Sequence, residues 1–335
     1  MSPPAGGFPF RSSGPRRRSA DVIHVGLVNN MPDAALRATE LQFGRLLQGA
    51  AGDFDVRLHL FAFPSVKRSE LTLTRMEGSY ASTDSLPSSN IDALIVTGAE
   101  PLAPDLRDEP YWNDLARLID WAKEGTLSTV FSCLASHAAV LHLDGIARRP
   151  LPRKLSGVFD CACAQDDPLL AGMQLPFEVP HARLNGLSGS ELLAKGYSIA
   201  SRLGEADVNV FWRKLPSTFV FLQCHPEYDA DTLGREYIRD VGRYLRGENA
   251  WRPPLPNNYY DKATEIALAA LDEGGRDLEL LARYTEVTGQ AQPLHAWRRQ
   301  TLTLFGNWLK IVAAEKIRLS EQYLDRPQRR AHRSF

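Results

Sequence analysis

The sequence predicts an α/β fold of three layers, with a mainly parallel β-sheet between helices and C-terminal helices packed back on it. Runs at 22–28, 93–97, 129–131 and 219–222 are apolar almost throughout, as strands buried on both faces are. Helical patterns accompany them, amphipathic over 34–49 and rich in Ala, Leu and Val beyond residue 134. Two of these strands end in Asn29-Asn30-Met31-Pro32-Asp33 and Gly98-Ala99-Glu100, the kind of loop in which an α/β sheet places ligands.

Taken in order, residues 1–20 are rich in Pro, Gly, Ser and Arg without a continuous apolar run. That composition predicts a disordered tail rather than a secretory signal or an amphipathic transit helix. A single domain is expected over 21–318, followed by a polar tail at 319–335. After the strand at 22–28 and the helix at 34–49, alternation of Val56, Leu58 and Leu60 predicts a strand over 55–63. Residues 64–90, polar and Ser/Thr-rich around 78–89, read as a loop over the site or an interface. The strand at 93–97 ends in Gly98, whose missing side chain lets a backbone N–H approach a ligand closely. A helix over 111–123 precedes the strand at 129–131. The basic, Pro-broken segment 148–154 reads as solvated surface or as a partner for an anionic group. Short strands and turns are expected over 157–210 and a helix over 232–246. Beyond the Pro-rich 251–256, helices are expected over 260–271 and 300–316, the latter with Leu304, Trp308 and Ile311 on one face. Neither an internal repeat nor an independent C-terminal domain is expected.

A chain of 335 residues, 44% apolar and 24% charged, can bury one large core. A formal charge of −1 gives no electrostatic reason to expect nucleic acid or a membrane surface as a partner. No stretch approaches the roughly 20 apolar residues that a membrane span needs. Four cysteines are too few for a disulfide scaffold, which suits a reducing, cytoplasmic setting. Cys161 and Cys163, two apart and without a second pair, read as structural, and no metal site is expected.

Two stretches carry chemistry. In Thr129–Leu143 the strand passes through Ser132-Cys133 into a helix, which leaves a thiol on a strand-to-helix elbow. The backbone N–H groups after it point at whatever the sulfur attacks, and the helix N-terminus favours negative charge. Alone, Cys133 would read as a small apolar residue closing a strand. About 90 residues later, however, a second apolar strand runs into Gln223-Cys224-His225-Pro226-Glu227. Pro226 ends the strand, and His225 and Glu227, two apart, allow an imidazole to face a thiolate while a carboxylate fixes its tautomer.

Both halves together resemble the Cys-His-Glu site of the class I glutamine amidotransferase-like (flavodoxin-like) fold. Within that fold the chain is similar to the homoserine O-acyltransferase (homoserine transsuccinylase) family. The resemblance is carried by Asn30-Met31-Pro32, Thr39-Glu40-Leu41-Gln42-Phe43, Leu94-Ile95-Val96-Thr97-Gly98-Ala99 and Tyr111-Trp112. It continues through Cys133-x-Ala135, Lys154-Leu155-Ser156-Gly157-Val158, Pro180-His181-x-Arg183 and His225-Pro226-Glu227-Tyr228-Asp229-Ala230. Trp297-Arg298 and Asn307-Trp308-Leu309 close it, so the blocks fall in family order over nearly the whole chain. The resemblance implies a two-step acyl transfer. Cys133 takes an acyl group from succinyl- or acetyl-coenzyme A with His225 as general base and Glu227 supporting it, and an amino-acid hydroxyl then receives the group. It also implies Gly98 and Leu134 as oxyanion donors, and Lys154, Ala182, Arg183, Glu236 and Arg239 as substrate contacts. Acyl-coenzyme A is then a co-substrate, with no permanently bound cofactor. Small-molecule substrates, a homodimer and a place in methionine biosynthesis follow from the same resemblance.

The chain departs from the family pattern around the substrate. A Lys that usually follows Met-Pro is absent, with Arg37 as its substitute, and the Ser of Pro-His-Ser-Arg is Ala182. The position associated with acyl selectivity falls on Asp105, an acidic residue that leans towards succinyl, and Leu134 replaces a bulky aromatic. The altered shell leaves open another acceptor hydroxyl, such as that of L-serine. An amide hydrolase of the same fold is a further alternative, opposed by the lack of flanking glycines in Ser132-Cys133-Leu134-Ala135. A non-catalytic binding protein is a third, opposed by the complete Cys-His-Glu set.

Overall fold

The computed structural model describes residues 22–324, apart from 176, 205, 206, 273 and 294. The tail expected over 1–20 lies outside the described residues, as do 325–335 of the polar tail expected at the other end.

Strands β1 (Val22–Val28), β2 (Asp55–Ala62), β4 (Ala93–Val96), β5 (Ser128–Ser132) and β10 (Thr218–Leu222) form a parallel array with the short β3 (Tyr80–Ser82) at its edge. Strands β9 (Asp207–Lys214), β8 (Ser198–Leu203), β6 (Arg149–Cys163) and β7 (Phe177–Gly186) extend it antiparallel from β10. The order is β3-β2-β1-β4-β5-β10-β9-β8-β6-β7, so six of the ten strands among the described residues run parallel. Strands β1, β4 and β10 are near-continuous apolar runs because both of their faces are covered, whereas β2 alternates. On one side, Phe43, Leu46 and Leu47 of α1 (Asp33–Ala50) pack with Leu304, Trp308 and Val312 of α9 (Arg298–Leu324). On the other, α3 (Trp112–Gly125), α4 (Leu134–Asp144) and α5 (Gly189–Ala194) bury Leu115, Ile119, Ala139 and Leu192.

Three expectations need correction. Residues 64–90 fold into α2 (Glu70–Met76), edge strand β3 and a 3-10 turn at Thr83–Ser88, rather than a loop. Helix α2 is capped by Ser69, whose hydroxyl accepts from Thr72 N–H. The C-terminal helices do not all lie on the sheet. Whereas α9 does, α7 (Lys262–Asp272) and α8 (Leu280–Gln290) pack on α6 (Thr232–Leu245) around Tyr237, Leu268, Tyr284 and Trp297. Finally, α9 continues to Leu324, through the first residues expected in the polar tail.

Strand β6 begins inside the Pro-broken basic segment. Its register against β7 slips between Pro150 and Leu155, and such an irregularity accommodates prolines that cannot donate to a ladder. The C-terminal ends of β1, β4, β5 and β10 lie side by side, so the loops after them share one edge of the sheet.

Candidate active site

Cys133 links β5 to α4 with φ 51° and ψ −112°, a conformation an L-residue adopts only when its surroundings impose it. Those surroundings are visible. Cys133 N–H donates to the Leu222 carbonyl at 2.7 Å, and Ser136 N–H to the Cys133 carbonyl at 2.9 Å. The Ser136 hydroxyl lies 2.7 Å from the Phe131 carbonyl and 3.0 Å from that of Leu222, and accepts from Leu222 N–H at 3.1 Å. One buried hydroxyl thus joins the end of β5 to the end of β10. Gly98 closes the elbow from the β4 side: a Cβ there would stand 2.8 Å from both N and Cβ of Leu134. The two candidate oxyanion positions are therefore in backbone contact.

After β10 the chain turns at Pro226, and His225 Nδ1 meets Glu227 Oε1 at 2.9 Å with both side chains largely buried. His225 N–H donates to the Pro180 carbonyl at 2.9 Å, which fixes the turn against β7. The Cys133 thiol is also close enough to the imidazole to act on its charge. Since Nδ1 is committed to Glu227, Nε2 is the nitrogen that serves the sulfur. Burial alone would lower the His225 pKa, but Cys133 and then Glu227 outweigh it and raise it well above the ordinary value. Glu227 keeps its second oxygen buried without a hydrogen-bond partner. Burial raises the other three thiols, Cys161 to about 12 and Cys224 well above its ordinary value, with Cys163 raised less. Such thiols are poor nucleophiles. Among the described residues no cluster of three or more His, Cys, Asp or Glu could hold a metal ion.

A charged wall lies next to this trio. Lys154 Nζ meets Asp240 Oδ2 at 2.5 Å, and Arg239 binds Asp240 Oδ1 through Nε and Nη2 at 2.9 Å each. Burial would raise the Asp240 pKa, yet Lys154 and Arg239 together lower it. Arg239 Nη1 stands 3.9 Å from Glu236 Oε1, which accepts from the Tyr228 hydroxyl at 3.0 Å. Lys154, Glu236 and Arg239 are thus brought together through Asp240 and Tyr228. Arg183 is not with them. It is buried on the other face of β7, pairing with Asp207, the Asn185 carbonyl and His181 Nδ1. Alternation along a strand is the reason: Ala182 faces the cluster of Tyr228 and Tyr237, so Arg183 must face away.

The family model for homoserine O-succinyltransferase matches residues 6–318. The chain is 48% identical to the homoserine O-succinyltransferase of Rhodopseudomonas palustris over 303 residues, which cover 90% of this chain and 91% of that one. It is 46% identical to the same-named protein of Bradyrhizobium japonicum over 307 residues, 90% and 94% of the two chains. The chain belongs to the homoserine O-succinyltransferase family. A solved glutamine amidotransferase from Methylobacillus flagellatus overlays at a TM-score of 0.49 with 14% identity, over 87% of this chain and 95% of that one.

Against the family pattern, two further expectations shift. Arg37 is exposed on α1 and pairs with Glu40 at 2.7 Å, so it does not replace the missing loop Lys. The cation at that loop is Arg68, buried, with Nη1 donating to the Met31 carbonyl at 2.5 Å and Nη2 to the Asn29 carbonyl at 3.2 Å. Asp105 is exposed and grips Arg107 with both oxygens at 2.7–3.1 Å, which holds its pKa down to about 2. Its carboxylate is committed to that pairing. The loop after Gly98 is instead organised by Glu109, buried, whose Oε1 accepts from Leu102 and Ala103 N–H at 2.7 and 2.8 Å. Glu109 and Arg68 escaped the sequence reading because their partners are main-chain groups.

Proposed function

We propose that the chain is an acyl-coenzyme A:L-homoserine O-acyltransferase that works through an acyl-enzyme on Cys133. The observation that carries this is the elbow itself: a thiol held at positive φ beside a hydrogen-bonded His–Glu pair, with the Gly98 backbone against the Leu134 N–H. In the first step the Cys133 thiolate attacks the thioester carbonyl, and N–H groups of Leu134 and the Gly98 loop receive the developing oxyanion. The C–S bond to coenzyme A breaks, and the departing thiolate takes a proton from His225. In the second step the acceptor hydroxyl gives its proton to His225 Nε2 while its oxygen attacks the acyl carbonyl, and the Cys133 thiolate leaves. A thioester intermediate preserves the activation of the incoming thioester, and the final ester is the downhill step.

For the acceptor, the buried free oxygen of Glu236 suits an ammonium group and the outer edge of Arg239 a carboxylate, with Lys154 and Asp240 holding that edge in place. The relatives' names support homoserine and a succinyl donor. Methionine biosynthesis, a cytoplasmic setting and a homodimer belong to the same reading and rest on the family alone. No helix among the described residues is long and apolar enough to cross a membrane.

Intact mass after mixing with succinyl- or acetyl-coenzyme A, with Cys133→Ala as control, tests the proposal. A donor-specific adduct lost in the variant and cleared by homoserine is the expected result. Clearance by serine instead would reassign the acceptor, as Ala182 in place of the family's Ser leaves open. No adduct and no free coenzyme A with either donor would overturn the acyltransferase reading.

A further inference from the structure

His225 has a third neighbour besides its two acid–base partners. The Tyr228 ring lies 4.3 Å from the imidazole, centroid to centroid, at an interplanar angle of 20°. Its hydroxyl donates to Glu236 Oε1 at 3.0 Å, while the other oxygen of Glu236 is buried without a hydrogen-bond partner. The backbone leaves the ring little freedom. Tyr228 N–H donates to the His225 carbonyl at 3.2 Å, and its own carbonyl accepts from His295 Nε2 at 3.1 Å and Trp297 Nε1 at 3.0 Å. Burial, then Glu236 and Glu227, raise the phenol pKa well above its ordinary value, so the hydroxyl stays a donor.

We propose that Tyr228 is a positioning residue that serves the two half-reactions through different parts of one side chain. Its ring holds the His225 imidazole towards Cys133, and its hydroxyl holds the Glu236 carboxylate ready for the ammonium group of the acceptor. The second role rests on the acyltransferase reading; the first does not. A stacked ring uses up no hydrogen bond of the imidazole, prevents it from tilting away from the sulfur, and offers a π face to the imidazolium that forms on proton uptake. The hydroxyl fixes the Glu236 rotamer, so an arriving ammonium meets a carboxylate that has already lost its freedom.

Two substitutions separate these parts: Tyr228→Phe keeps the ring, and Tyr228→Leu removes it. Three measurements read them out. They are the alkylation of Cys133 by iodoacetamide across pH with no acyl substrate present, the rate of acyl-enzyme formation, and the acceptor KM and kcat. In the Phe variant we expect alkylation to stay near the parent's rate and the acceptor KM to rise about tenfold, the size of one lost hydrogen bond to a charged group. The Leu variant is expected to alkylate about tenfold more slowly as well, with no further rise in KM. An unchanged KM in the Phe variant overturns the hydroxyl's role, and a Leu variant that alkylates like the Phe variant overturns the ring's. Equal losses in all three measurements for both variants, with a matching fall in Tm, would leave Tyr228 a packing residue only. Should the Leu variant fail to fold, the ring-current shift of the His225 Cε1 proton in the parent and the Phe variant decides the stack, and its absence overturns it. If the parent itself forms no acyl-enzyme, the acyltransferase reading fails while the alkylation comparison still decides the ring's role.

Discussion

Gly98 lies so near the elbow that an added Cβ would meet Leu134 N and Cβ at 2.8 Å, closer than real Cβ atoms approach anything. Gly98→Ala therefore pushes on the very N–H that is placed to receive an oxyanion. Rapid-mix measurement of acyl-enzyme formation is expected to show a loss of roughly a hundredfold, the scale for one misplaced oxyanion donor. The histidines make opposite demands on pH. Burial drives the His137 pKa down to about 4, against an opposing hydrogen bond to Gln223. The unfolded chain then binds more protons below about pH 6.5, so the contribution of His137 is complete above that pH and lost as pH falls towards 4, about 3 kcal/mol in all. His225 has its pKa raised, so the stability it contributes is complete below about 6.5 and lost as pH rises through the raised value. Melting curves of His137→Gln should fall less steeply than the parent's between pH 6.5 and 4. Those of Glu227→Gln, with much of that raise removed, should lose less on the alkaline side.

At the scale of elements, the decisive join is between β5 and β10, which carry the sulfur and the imidazole. Register pairing aligns them from Ser128 with Thr218 to Ser132 with Leu222, and the Ser136 hydroxyl locks the last pair. Ser136→Ala would remove the buried hydroxyl that bridges the Phe131 and Leu222 carbonyls and the Leu222 N–H. It should cost about 1–3 kcal/mol in denaturant titration and slow acylation by more than the change in stability alone explains. This join was legible from sequence because both strands are rich in β-branched and aromatic residues and end in chemically distinctive turns. Strands β1 and β4 were readable as apolar runs, and β2 from the alternation of Val56, Leu58 and Leu60. Residues 64–90 were not, since a three-residue strand such as Tyr80–Ser82 has too little sequence to show a period and forms only because β2 offers an open edge. Nor was the charged wall. Lys154 and Asp240 stand 86 residues apart, and nothing local marks either as the other's partner. Arg183 illustrates the converse: next to Ala182 in sequence, it falls on the opposite face of β7.

Over the whole molecule, α9 provides much of one layer of the sandwich. Leu304, Phe305, Trp308, Leu309 and Val312 are all essentially fully buried. At about 1.5–3 kcal/mol for each such side chain, that one helix contributes on the order of 10 kcal/mol, comparable with the total stability of an ordinary domain. A chain truncated after Trp297 should expose the matching faces of α1 and β1 and collect in the insoluble fraction on expression. Recovery of a soluble, cooperatively melting protein would show that the other two layers suffice.

The grip of His295 and Trp297 on the Tyr228 carbonyl also has a bearing on the order of synthesis. A ribosome completes Cys133, His225 and Glu227 well before it reaches the residues that brace them. A nascent chain paused between residues 230 and 290 already contains the whole reactive trio but neither of these braces nor α9. Such a chain holds a thiol without its final frame until His295, Trp297 and α9 have been added.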